Sequence, residues 1–318
     1  MDWLGADIDG PLVVVRGLQF AATAVTTGTL VFRAVVAALA SSSAAPAAII
    51  VSRQTLRIAW ICLAISAASG IIWVLLQAAS MSGLPFAGAM TSDVLLTVLN
   101  ETQFGMVSEI RFALAVVIGV GLAYDRFPPA RGLGLVLSLG LIGAVGWTGH
   151  AGSTVGETGV LHLAADILHL VAAAIWIGGL VSLVLLFAVT RRDRTDASMS
   201  FARDATQAFS SMGIAIVAVI FATGIVNTWI LVGSWHALIA TGYGRLLMLK
   251  IALFIVMLLF AAANRFWLTP RLALPSSAPQ FDARRQLARN SMIEFVLALA
   301  IFAIVGLLGT LHPASHGL

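Results

Sequence analysis

A chain of 318 residues in which 60% are hydrophobic and only 10% charged is too apolar for a soluble globular protein, where about a quarter of residues are charged. The net charge of +4 comes from basic residues scattered through short connections between apolar runs, which argues against nucleic acid and for a lipid bilayer as the partner. The single cysteine, Cys62, excludes an intramolecular disulfide and a thiolate metal cluster, and is expected to be a small apolar packing residue.

The opening residues, MDWLGADIDG, are acidic and lack a basic leader region, so the first span is expected to remain as a helix rather than to be cleaved. Apolar windows of about 20 residues, bounded by Pro, Gly, Ser or charge, then mark eight spans. They fall near 11–39, 54–79, 105–124, 131–149, 159–190, 207–233, 244–267 and 291–312. The expected fold class is therefore all-α, a polytopic membrane protein with eight transmembrane helices. An even count puts both termini on one side. Of the eighteen Lys and Arg residues, only Arg16, Arg111, Arg245 and Lys250 belong to that side, and the other fourteen belong to the opposite one. The positive-inside rule thus places both termini, and the connections near 80–104, 150–158 and 234–243, outside the cytoplasm. The segment 265–290, with three prolines and five arginines, reads as a solvated cytoplasmic connector touching lipid headgroups.

The polar chemistry gathers between His150 and Gly179. His162, Asp166 and His169 stand at i, i+4 and i+7, on one helix face. His169 lies about 10 Å deeper than His162 at roughly 1.5 Å rise per residue. Imidazole and carboxylate at that depth are costly and usually carry a partner or a function. His150 and His312 close the fourth and eighth spans in matching Thr-x-His sequences, Thr148 to His150 and Thr310 to His312. With Ser69-Gly70 to Trp73 against Thr223-Gly224 to Trp229, this suggests two four-span repeats, 1–149 and 150–318, related by an axis along the membrane normal. All six histidines sort to the outer side; His236 and His316 read as solvated surface groups. Histidines with an interposed carboxylate suit copper, zinc or iron. The candidate metal residues are therefore His150, His162, Asp166, His169 and His312. Met81, Met90 and Met106 border the outer connection and offer soft thioethers, although methionine in such segments also serves packing. No ligand series is evident toward the cytoplasm, where only Met212, Met257 and Asn227 are grouped. Trp176-Ile-Gly178-Gly179 reads as a close-packing motif. Arg16 with Gln19, and Glu109 with Arg111, read as intramembrane polar groups that pair across helices.

The run Thr241-Gly-Tyr243-Gly244-Arg245-Leu-Leu-Met-Leu-Lys250-Ile-Ala-Leu, continuing to Ala263-Asn264-Arg265, resembles the signature of the copper resistance protein D (CopD) family. Phe209-Ser210, Thr223-Gly224, Asn227 and the pattern His162, Asp166, His169, Trp176-x-Gly178-Gly179-Leu180 carry the same resemblance. It covers spans four to eight; the first three match in number and hydropathy. The resemblance implies an inner-membrane protein that handles copper from the periplasm, beside a periplasmic carrier of the CopC type. No fused carrier is expected within this chain, so the donor is expected to be a separate protein. Copper is then taken up through the outer histidines and passed inward by Asp166 and His169, with no enzymatic step. Two alternatives stand beside this reading: a haem b oxidoreductase with two of these histidines as axial ligands, and a metal-docking assembly factor that transports nothing. A homo-oligomer is compatible with the sequence.

Overall fold

The computed structural model describes residues 10–40, 46–193, 195–274 and 278–313. Among them there are eight helices long and apolar enough to cross a bilayer, and no strand. The expected all-α polytopic fold is what the chain adopts. The long helices are α1 (Gly10–Ala40), α2 (Pro46–Ser82), α3 (Gln103–Ala123), α4 (Pro128–Val145), α5 (Gly156–Arg192), α6 (Asp196–Val232), α7 (Gly242–Ala263) and α8 (Ala278–Leu308). Helix is the only open-ended structure that satisfies every backbone N–H and C=O within hydrocarbon. The periphery is correspondingly apolar, with Ile61, Val116, Val136, Phe221 and Leu259 facing outward.

α1 and α5, the first and fifth spans, are the two most enclosed. They meet at glycine: a Cβ on Gly178 would lie 2.4 Å from the Cα of Gly28, and one on Gly28 would lie 1.9 Å from the Ala174 carbonyl oxygen. No other residue permits that approach, so the Trp176-Ile-Gly178-Gly179 segment is indeed a packing motif. Gly179 receives the Phe209 ring of α6 on its open side. Polar contacts add to the association of α1 and α2, where Gln19 and Thr23 bond Ser66, and Ser69 donates to Gln19 Oε1 at 2.7 Å. The start of α1 lies against the end of α8, with Gly306 beside the Val13 carbonyl and Gly309 beneath the Arg16 guanidinium. The start of α1 and the end of α8 therefore share one end of the bundle.

At the opposite end the helices outrun the hydropathy windows. α2 begins at Pro46, α6 at Asp196 and α8 at Ala278, two or more turns before the expected span starts. Arginines stop a hydropathy window, but they do not stop a helix whose next turns still have a neighbour to pack on. Segment 265–290 departs from the expected solvated connector for that reason. It forms a π turn (Asn264–Leu268) and a 3-10 turn (Thr269–Ala273) before α8, and Leu268, Leu272 and Leu287 sink into a cluster with Phe201, Leu186 and Val51. Arg284 is buried there and donates to the Thr190 carbonyl at 2.9 Å. Nearby, Arg33 and Asp125 form an ion pair of 2.7 Å. On the other side, the connection between α2 and α3 folds into short helices at Phe86–Ala89 and Ser92–Glu101, and Gly233 closes α6 with a φ of 73°, the left-handed conformation suited to glycine.

Candidate functional site

The polar stripe of α5 faces α6, which runs antiparallel beside it. Asn227 Nδ2 donates to Asp166 Oδ1 at 3.2 Å, and Thr223 Oγ1 lies 3.0 Å from His169 Nδ1. Asn227 and Thr223 are one helical turn apart on α6, matching the three-residue step from Asp166 to His169. At the start of α5, His162 is 1% exposed, and its Nδ1 lies 2.8 Å from Thr154 Oγ1 in the turn before the helix.

The hydroxyls constrain the imidazole tautomers. Each has one proton, and each already donates it to a carbonyl, which can only accept: Thr154 Oγ1 to His150 O at 3.0 Å, and Thr223 Oγ1 to Val219 O at 2.6 Å. With its proton on the carbonyl, each threonine oxygen can accept from the histidine, and a ring proton on Nδ1 of His162 and His169 satisfies both bonds; the Ile220 backbone is a further partner of His169. In that tautomer Nε2 would keep the lone pair that a metal needs. Fixing the second ring nitrogen in this way is how outer groups orient histidine ligands.

His150 is held differently. Its Nε2 lies 3.2 Å from the Leu308 carbonyl, to which it donates, and the Tyr243 ring meets its edge at 6.2 Å between centroids. That bond carries the end of α4 to the end of α8, four residues before His312, which is exposed beyond the helix. His150 and His162 are linked through Thr154, and the charge of His150 reaches His162. Asp166 and His169 form a second group, one and two turns deeper, within electrostatic reach of Lys250 on α7. Asn227 Oδ1 is buried there without a donor. Amide oxygen, carboxylate and imidazole are donor types that suit a cation. Among the described residues, no three His, Cys, Asp or Glu side chains converge tightly enough to hold an ion. The five candidates thus divide into a rim (His150, His312), a shielded ring (His162) and a deeper pair (Asp166, His169). Met81 and Met106 are exposed, and His316 lies outside the described residues.

Two groupings need correction. Asn227 belongs with Asp166 and not with the cytoplasmic half. That half does hold a polar group: Glu294 is fully buried on α8 and accepts from Asn264 Nδ2 at 2.7 Å, and Asn290 Nδ2 donates in turn to Asn264 Oδ1. Among the described residues Arg16 and Arg111 pair with no carboxylate; both stack on Trp73. Thr154, Thr223 as an orienting hydroxyl, and Glu294 are the residues that sequence reasoning missed. The one available signal was the i, i+4 spacing of Thr223 and Asn227, which mirrors the stripe on α5.

Comparison with known proteins bears on both halves. The family model described as copper resistance protein D matches residues 203–308, and the model of the copper resistance protein D-like N-terminal domain matches residues 7–160. The likeness therefore reaches the first three spans, while residues 161–202, with the stripe of α5, lie between the two matches. Copper resistance protein D of Pseudomonas syringae pv. tomato is 30% identical over 76% of this chain and 79% of its own length. The inner membrane protein YebZ of Escherichia coli is 29% identical over 76% of this chain and 82% of its own length. The copper transport protein CutJ of Bacillus subtilis is 27% identical over 71% of this chain but 40% of its own length. No solved structure matches the chain.

Proposed function

Since the chain belongs to the copper resistance protein D family, we propose that it takes up copper on the face carrying both termini and passes it inward along α5. The names of two relatives, a copper resistance protein and a copper transport protein, support copper as the cargo and transport rather than enzymatic turnover. The single observation that carries the route is the pair of threonine hydrogen bonds to Nδ1 of His162 and His169, which would leave Nε2 of each ring as a ligand. The arginine asymmetry supports a periplasmic assignment for the histidine face of an inner-membrane protein. A separate carrier of the CopC type would deliver the ion to His150 and His312 at the rim. From there it would reach His162, then Asp166, Asn227 and His169. The halves 1–149 and 150–318 would divide the work, the first bracing the second through the crossing of α1 and α5.

The test changes His169 to Ala and measures cellular copper accumulation at matched expression, together with copper bound at the surface. Accumulation is expected to fall to background while binding through His150 and His162 persists. Undiminished accumulation at normal expression would return the function to the rim and remove the inward route. A Soret band from the purified protein, lost in the same variant, would replace copper by haem at this position.

A further inference from the structure

The outer half of α1 to α3 contains two arginines for which the copper route has no use. Arg16 of α1 and Arg111 of α3 are 8% and 5% exposed, and they flank Trp73 of α2, which is 1% exposed. Their guanidinium carbons lie 5.1 and 5.2 Å from the indole ring centroid. Neither guanidinium has a hydrogen bond or ion pair among the described residues, and the Nε atoms of both, with Trp73 Nε1, are buried without a partner. Glu109, two positions from Arg111, is exposed, and no ion pair joins the two among the described residues. Arginine remains protonated in any protein environment. Two fixed positive charges therefore share one aromatic ring, and cation–π attraction is far weaker than the desolvation of two buried ions.

Arg111 also lines a cavity of about 440 Å³ between α1, α2, α3 and the short helix Ser92–Glu101, a volume within the usual range of small-molecule sites. Gln19, Ser66 and Ser108 add polar atoms to its wall, Glu109 brings a solvent-exposed carboxylate to its edge, and most of the remaining wall, Ile71 and Phe112 included, is apolar. Ile71 and Phe112 are half exposed on the flank of the bundle, so the cavity opens sideways toward the bilayer rather than into the histidine face. A site with buried unpaired guanidinium at its head and an apolar wall opening to lipid matches a phosphate-bearing amphiphile.

We propose that this cavity binds an anionic phospholipid of the outer leaflet, with its phosphate on Arg111, the charge of Arg16 acting from across Trp73, and an acyl chain along Ile71 and Phe112. The ligand supplies the missing counter-charge and holds α1, α2 and α3 together beside the outer mouth. This inference does not depend on the copper route.

The full-length protein in mild detergent is to be examined by native mass spectrometry, and by thermal unfolding in mixed micelles containing phosphatidylglycerol, phosphatidylcholine or inorganic phosphate alone. Phosphatidylglycerol is expected to stay bound and to raise the unfolding temperature, and phosphatidylcholine to do neither. Arg111→Gln is expected to weaken retention about tenfold, the ratio given by loss of one modest charged contact, with Arg16→Gln weaker in effect and Arg203→Gln, on the exposed arginine beside Asp204, without effect. Should Arg111→Gln fail to fold, Ala113→Trp fills the cavity from its exposed wall, leaves both arginines in place, and is expected to lose the lipid. Equal retention of the two lipids, retention in both Arg111→Gln and Ala113→Trp, or an equal thermal shift from phosphate alone would each overturn the proposal; the last would assign the site to a free oxyanion.

Discussion

Thr223→Val is the sharpest test of how the deeper pair is prepared for a metal. Valine keeps the shape of threonine and removes the oxygen that accepts the His169 Nδ1 proton at 3.0 Å. The imidazole then either buries an unsatisfied N–H or moves its proton to Nε2 and turns its ligand lone pair toward a methyl group. Leaving a buried donor unpaired costs about 1–3 kcal/mol, and at about 1.4 kcal/mol per factor of ten this weakens copper at His169 by roughly 5- to 150-fold. The range overlaps the about 10–100-fold known for loss of groups that orient metal ligands. Thr223→Ser keeps the oxygen and is expected to bind as the wild type does. Copper affinity would be measured by competition on purified protein, and accumulation in cells at matched expression. If the valine variant binds and accumulates copper like the serine variant, the hydroxyl does not set the tautomer and the reasoning fails.

Two further outcomes follow from other parts of the structure. Gly178→Val places side-chain atoms where the Cβ alone would stand 2.4 Å from the backbone of Gly28, so α1 and α5 must separate; overpacking of this kind costs about 1–3 kcal/mol or more, and folded yield and unfolding temperature are expected to drop, whereas unchanged values would show that the two helices do not cross here. A reporter fused after Leu318 is expected to be active only in the periplasm, and cytoplasmic activity would invert the assignment of the histidine face.

The eight spans were legible because hydropathy over about 20 residues is the condition for crossing a bilayer. Their ends opposite the histidines were not, since Arg284 and Gln280 are read as solvated charge and polarity until Thr190 and Leu272 are seen to receive them. On α5, the i, i+4, i+7 spacing was sufficient to put His162, Asp166 and His169 on one face. It did not reveal which helix that face meets, because the rotation of α6 about its own axis is fixed by tertiary contacts such as Phe209 on Gly179. Thr223 and Asn227 therefore looked like family signature residues rather than partners of the stripe. Thr154 was invisible for a related reason: it reaches His162 only because the chain reverses at Gly156, whose φ of 73° starts α5 from a sharp turn. The expectation that Arg16 and Arg111 pair with polar neighbours failed because their neighbour is an indole, whose attraction for cations leaves no trace in charge spacing.

The stripe also constrains how an ion could cross. The spacing that aligns His162 with His169 brings Trp176 to the same face, about 10 Å deeper at roughly 1.5 Å per residue. Trp176 is buried against Phe254, with ring centroids 5.8 Å apart, and Glu294 on α8 lies alongside it. Outward, His162 is itself shielded from solvent. On the copper reading, Asp166 and His169 therefore sit between two closed gates, an imidazole tied to Thr154 on one side and an indole on the other. A continuous pore would show polar groups exposed along its whole length, and this bundle closes its stripe at both ends. Transport would then proceed as in a carrier: His162 turns to admit the ion, Trp176 moves to release it toward Glu294, and the two movements alternate.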